Sequence, residues 1–199
     1  MSAIRATSQR GKCYAKNHEQ GFIMYIGKLV KLREYRNEDI KLAQEYINDY
    51  EIKQYMFPSV PFPLTFDDER KWFENQSSLN FNYNFAIETL KENKYIGGCG
   101  LKNLDWKNSN VEVGIFIGLK EFQNKGYGTD AMNVLINFIF KEMNIIKIKL
   151  DVYNFNEIAI RCYEKCGFKK EAVFKKELFR NGQFRDIIRM VLFKEDYFK

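Results

Sequence analysis

Apolar positions along the chain follow two periods, and the switches between them mark out its elements. Alternation over 25–35 (YIGKLVKLREY) predicts a strand. Over 37–50 (NEDIKLAQEYINDY), Asn37 as cap and acids in the first turn predict a helix. A proline-rich aromatic loop, 56–65, leads to Thr65. With Asp68 three residues on, Thr65 opens a short helix over 65–78. Residues 83–90 and 95–104 read as antiparallel strands broken at Lys91–Lys94, and 108–119 (NSNVEVGIFIGL) as a third. Gly114 inside that third strand predicts a bulge or a close approach by another group. Apolar residues at 131, 132, 135, 138, 139 and 143 predict a long helix over 126–144. A strand at 145–153 follows, then a helix at 156–167 stopped by Gly167. The rest is a hairpin turning at Asn181-Gly182.

The order β-α-α-β-β-β-α-β-α-β-β predicts a single α/β (α+β) domain. Its sheet is mixed and mostly antiparallel, of about seven strands, with a central β-α-β unit and about four helices. Residues 24–199 form that domain. Residues 1–23 lack periodicity and carry four basic residues against one acid, half of the net +6 charge. They read as a poorly ordered extension ahead of Met24.

Composition narrows the chemistry. One histidine in 199 residues, His18 in that extension, argues against His-based nucleophilic or zinc sites. Four cysteines without a secretory signal predict free thiols and a cytoplasmic protein. Cys162 and Cys166 share a helix face, but no second ligand pair accompanies them, so no metal is expected. Lysine pairs at 169–170 and 175–176 leave a nucleic-acid or ribosome-binding reading open, but no recognition motif supports it.

The turn FQNKGYGTDAM (122–132) carries the strongest chemical signal. It lacks the Walker pattern. Gly126-x-Gly128-x-x-Ala131 mimics the dinucleotide fingerprint, yet it does not follow its strand directly and no acid sits about 20 residues on. Free N–H groups at a helix start, two glycines and Lys125 suit a phosphate all the same. Further on, Asn156 and Tyr163 lie on one helix face about 10.5 Å apart. Ala159 and Ile160 between them make a surface for a long ligand with a polar arm.

Together, Gln123-x-x-Gly126-x-Gly128 and Asn156-x-x-Ala159-Ile160-x-x-Tyr163-Glu-Lys-x-Gly167-Phe168 resemble the GNAT superfamily of acetyltransferases. The nearest branch is that of ribosomal-protein N-terminal and spermidine acetyltransferases. Asn124 stands where many relatives have glycine. The resemblance implies an N-acetyltransferase using acetyl-CoA, by direct transfer in a ternary complex, on a protein α-amine, a polyamine or another small amine. It implies that Gln123, Asn124, Lys125, Gly126, Tyr127, Gly128 and Thr129 hold the diphosphate. The pantetheine arm falls to Ile115, Phe116 and Ile117, with Asn156, Ala159 and Tyr163 beside it. Tyr163 is the implied acid for the leaving thiolate. Glu112 is the candidate base and Glu88 a weaker one. Met56, Phe57, Phe62 and Phe66 are the candidate acceptor residues. A CoA-binding sensor without catalysis, and a homodimer, stay open.

Overall fold

The structure, a computed structural model, describes residues 25–76 and 83–199. The extension expected over 1–23, and the tail of the helix expected over 65–78, lie outside the described residues. The elements run β1 (Val30–Arg33), α1 (Asp39–Asn48), α2 (Tyr50–Met56), α3 (Phe66–Glu74), β2 (Asn84–Thr89), β3 (Tyr95–Asp105) and β4 (Asn110–Ile117). After a 3-10 turn at Lys120–Phe122 come α4 (Tyr127–Glu142), β5 (Lys147–Tyr153), α5 (Glu157–Lys165), β6 (Lys169–Arg180), β7 (Gln183–Phe193) and α6 (Lys194–Tyr197).

One seven-stranded sheet, ordered β1-β2-β3-β4-β5-β7-β6, carries all of these strands. Only β4 and β5 pair in parallel, joined by α4 as the expected β-α-β unit. The core lies where α4 covers the sheet. Met132, Leu135, Ile136 and Ile139 are fully buried, against Val111 and Val113 of β4 and Ile148 and Leu150 of β5. Truncating one such leucine to alanine costs about 2–5 kcal/mol. A second cluster on the opposite face joins Ala43, Tyr46, Ile52 and Tyr95, with Phe116 packed against it.

The expected helix over 37–50 is two helices. Asp49 ends α1 in an extended conformation, and its side chain then accepts the Glu51 N–H at 2.9 Å to start α2. Asn37 is not the cap of α1. The backbone there is tied by Asp39, which accepts the Arg36 N–H at 2.8 Å. The Thr65–Asp68 capping box forms as expected. Gly167, at φ +92°, turns the chain at the end of α5, and the Phe168 N–H returns to the Tyr163 carbonyl at 3.1 Å. Asn181 and Gly182 both take positive φ, as a two-residue hairpin turn requires. Gly114 keeps the β3–β4 register opposite Gly100. What approaches it is the Lys102 side chain, whose Cε lies 3.3 Å from where a Cβ would stand.

Candidate active site

Strands β4 and β5 pair only through Asn110–Glu112 and Lys147–Lys149; beyond that point no register joins them. Because backbone groups alternate sides along a strand, and the Gly118 N–H binds the Ile96 carbonyl of β3, even-numbered residues of β4 serve β3. The N–H and C=O groups of Ile115 and Ile117 therefore face the opening. The Ile117 carbonyl is taken by the Gln123 side chain at 2.8 Å. Gln123 thus braces the turn with one hydrogen of its amide nitrogen while lining the cavity.

The turn itself requires unusual backbone. Asn124 sits at φ +57° and Gly126, the N-cap of α4, at φ +90°. Asparagine tolerates the left-handed region better than most residues, which explains how it stands at 124. No side chain caps α4, and the first backbone bond back to the cap is Asp130 N–H to the Gly126 carbonyl. The N–H groups of Tyr127, Gly128 and Thr129 are left as donors at the positive end of a 16-residue helix. A Cβ at Gly128 would find Ile117 Cγ1 at 3.7 Å and Cys162 Sγ at 3.9 Å, so the cleft approaches that backbone closely.

Asp130 pins this turn to the sheet. Its carboxylate accepts the N–H groups of Lys28, Leu29 and Val30 at 3.0, 2.7 and 3.1 Å. Gly27 makes the approach possible, since any Cβ there would stand 2.3 Å from Asp130 Oδ2. Sequence reasoning missed Asp130; its position as the sole acid in the first turn of α4 was the available signal.

Helix α5 forms the other wall. Asn156 caps it, accepting the Ala159 N–H at 3.2 Å, and this leaves the amide nitrogen of Asn156 free of that bond. Tyr163 is buried, edge-on to Phe168 at 6.0 Å. Its hydroxyl makes no hydrogen bond to another described residue. Burial, then the neighbouring Cys162 and Cys166, push the phenol well above its usual value, so it stays protonated at any physiological pH.

These pieces line one cavity of about 280 Å³. It runs from the α4 turn, through the β4–β5 opening, to Glu51, Ile52, Tyr55 and Met56 of α2. Of the expected residues, Ile115, Phe116, Ile117, Gln123, Asn124, Gly126, Gly128, Thr129, Asn156, Ala159, Tyr163 and Met56 line it. Lys125 and Tyr127 do not; the Tyr127 ring packs edge-on to Phe122 at 5.0 Å.

Several expected residues stand elsewhere. Glu112 is in the last β4–β5 pair, outside the lining, and accepts a hydrogen bond from Asn103 at 3.0 Å. Glu88 is buried in an ion cluster with Lys31 and Arg33, and Arg33 also binds Asp39 at 2.7 Å. Burial alone pushes the Glu88 carboxyl up. Hydrogen bonds from Lys31 and Arg33 outweigh that and hold it below its usual value, which suits a structural anion and not a base. Phe57, Phe62 and Phe66 are solvent-exposed and outside the lining; Phe62 keeps 73% of its surface.

The far end of the cavity is built by Tyr55, Asp151 and Tyr153, the last two of which sequence reasoning did not single out. Tyr55 and Tyr153 both pack on Phe155, at 5.5 and 5.7 Å. Asp151 is held by Arg189 through two bonds of 2.8 and 2.7 Å, and Glu51 pairs with Lys120 at 2.9 Å. The loop behind them is fastened by Arg180, which donates to the Phe57 and Ser59 carbonyls at 2.5 and 3.3 Å. In the lysine pairs, Lys169 binds Asp196 and Lys175 binds Asp186, so neither pair is a bare basic patch. Among the described residues no His/Cys/Asp/Glu cluster suited to a metal occurs, and no helix is long and apolar enough to cross a membrane.

Comparison with known proteins adds an independent line. Residues 30–169 match the family model described as "Acetyltransferase (GNAT) domain". Spermidine N(1)-acetyltransferase of Escherichia coli (strain K12) is 31% identical over 170 residues, covering 84% of this chain and 88% of that protein. A prophage-derived uncharacterized N-acetyltransferase of Bacillus subtilis (strain 168) is 28% identical over 174 residues, covering 87% and 94%. Among solved structures, spermidine N-acetyltransferase from Vibrio cholerae in complex with CoA and spermine superposes with a TM-score of 0.77. It is 26% identical, and the match covers 85% of this chain and 98% of that one.

Proposed function

This chain belongs to the GNAT acetyltransferase family, and on that premise we propose how its residues move an acetyl group from acetyl-CoA to a primary amine. The observation that carries the reading is the single cavity joining a helix N-terminus rich in free N–H groups to a buried phenol and an acidic, aromatic far end.

In this reading the donors of Tyr127, Gly128 and Thr129 hold the diphosphate. Lys125, which does not line the cavity, adds only long-range charge. The exposed N–H and C=O of Ile115 pair with the amides of the pantetheine arm, and Ile117 adds its N–H. This leaves the thioester beside Tyr163. As the amine attacks the carbonyl carbon, the thiolate leaves and Tyr163 hydrogen-bonds it. A thiol ionises near 8.5, below a phenol raised by burial. Full proton transfer from Tyr163 is therefore uphill. The phenol stabilises the departing sulfur as a donor, and the proton released by the acylated nitrogen neutralises it.

The amine must arrive neutral. Glu112 lies off the cavity, and the cavity's carboxylates, Glu51 and Asp151, are both ion-paired, so we assign the loss of that proton to solvent. The finer proposal is a polyamine acceptor. The Escherichia coli relative is named for spermidine. Here Glu51, Asp151 and the faces of Tyr55 and Tyr153 suit a chain of ammonium groups. The test is thiol release from acetyl-CoA over a panel of spermidine, spermine, an α-amino peptide and an amino sugar. Turnover highest on the polyamines supports the acceptor class. Turnover confined to the peptide or the sugar overturns that class while keeping the enzyme, and release with none of them favours a CoA-binding sensor.

A further inference from the structure

Direct transfer to an amine needs the backbone of β4, the turn before α4 and the Tyr163 hydroxyl. It has no use for a thiol, yet one lies in the same cleft. Cys162 of α5 is half-buried and lines the cavity beside Gly128 and Thr129. Its sulfur is 3.3 Å from Thr129 Oγ1 and 3.9 Å from the position of a Cβ on Gly128. One helical turn on, the buried Cys166 directs its thiol at the Thr129 carbonyl at 3.7 Å. Cys162 of α5 and Cys166, its C-cap, thus bracket one residue in the first turn of α4, where the helix carries its partial positive charge.

The groups facing this sulfur favour its ionised form. The Thr129 hydroxyl, 3.3 Å away, the Lys165 ammonium and the positive end of α4 favour the thiolate against burial and hold the Cys162 thiol below its usual value. Tyr163 also borders it and stays neutral. Cys166, whose proton goes to the Thr129 carbonyl, is raised and remains a thiol, and burial raises Cys99. Among the described cysteines, only Cys162 combines access to a cleft with thiolate character, the two conditions for nucleophilic reactivity.

We propose that Cys162 is a thiol-modification site inside the donor cleft: disulfide exchange with a small-molecule disulfide places a group on its sulfur that closes the first turn of α4 to the diphosphate. In the exchange, the Cys162 sulfur attacks one sulfur of R–S–S–R. The old S–S bond breaks, a Cys162–S–S–R bond forms, and RS⁻ leaves with the electron pair and takes a proton from solvent. One disulfide is consumed and one is made, so no further oxidant is needed. Excess free thiol runs the reaction backwards and restores the enzyme. The proposal rests on the assignment of the diphosphate to the α4 turn.

The test uses the full chain and 4,4′-dithiodipyridine, with the modified cysteine located by peptide mass so that Cys13, outside the described residues, is read separately. Cys162 is expected to reach its half-maximal rate below the pH at which an ordinary free cysteine does. Acetyl-CoA, which carries no free thiol, at ten times its Kd slows that reaction about tenfold. The modified protein loses acetyl-CoA binding in calorimetry, and dithiothreitol restores it. A Cys162→Ser variant, measured against its own starting activity, is insensitive to the reagent. Slow reaction at Cys162, or reaction unaffected by acetyl-CoA that calorimetry shows to be bound, overturns the proposal. If untreated protein gives no heat with acetyl-CoA, the function reading fails instead, and the gating claim falls with it.

Discussion

Gly126 and Gly128 stand two residues apart, and the structure gives them opposite mechanical roles. At φ +90°, Gly126 holds a conformation that costs an L-residue about 1–2 kcal/mol. A Cβ there meets only Leu29 Cδ1, at 3.6 Å, so Gly126→Ala suffers backbone strain and no clash. For a domain of this size that lowers Tm by about 2–8 °C. Gly128 lies inside α4, where alanine gains up to about 0.5–1 kcal/mol over glycine, less in a first turn. Its Cβ contacts, 3.7 Å to Ile117 and 3.9 Å to Cys162, are ordinary. Gly128→Ala should therefore melt at the parent temperature or slightly above, yet bind acetyl-CoA worse, because its methyl occupies the space in which oxygens reach the N–H groups. Losing one charge-assisted hydrogen bond is worth about 1.5–3 kcal/mol, or about 10- to 100-fold in Kd. Differential scanning fluorimetry and titration calorimetry on the same samples separate the two effects. Parent-like acetyl-CoA affinity in a folded Gly128→Ala protein would show that the diphosphate does not sit on this turn.

Three more outcomes are expected. Tyr163→Phe should cut kcat about 100-fold or more with little change in the Kd of acetyl-CoA, read by stopped-assay turnover beside calorimetry; unchanged kcat removes the phenol from the mechanism. Glu69 on α3 is buried, and burial raises its carboxyl to about 7, so folding favours the protonated form and stability is full near pH 4 and falls as pH rises toward 7. Glu69→Gln should accordingly gain up to about 3 kcal/mol over the parent at pH 8, shrinking toward pH 4.5, which denaturation curves across that range will check. Arg180→Met frees the Phe57 and Ser59 carbonyls, and should raise the acceptor KM while leaving the acetyl-CoA Kd within about twofold, as steady-state kinetics with each substrate varied will show.

What the sequence revealed and what it hid divide along one line: local periodicity against distant packing. The long helix α4, its glycine entry and the Asn181-Gly182 turn are written in neighbouring residues, and each formed where the pattern put it. The break at Asp49 was invisible because Asp49 caps α2 with a side chain that any polar helix residue could carry outward. Glu112 read as a base from strand alternation alone; alternation fixes the face of the sheet but not whether a neighbour such as Asn103 claims the carboxylate. The aromatic loop is a related case, of which only Met56 reaches the cavity. Phe62 and Phe66 are as apolar as any pocket residue, yet the cavity end is made by Tyr55 and Tyr153, brought together from α2 and β5 across nearly a hundred positions. Asp130, which ties β1 to the glycine turn over an equally long span, left only a faint mark in the sequence.

The parting of β4 from β5 leaves this sheet in two leaves, β1 to β4 and β5 with β7 and β6, stitched by three residue pairs and bridged by α4. On the proposed placement, a donor lying along that gap supplies the rungs that the polypeptide itself omits, and so acts as a missing strand. The ligand then supports the fold as well as the reaction: with acetyl-CoA at a hundred times its Kd the folded form gains about 2.7 kcal/mol. Without the ligand that support vanishes, and the two leaves rest on three residue pairs and α4 alone.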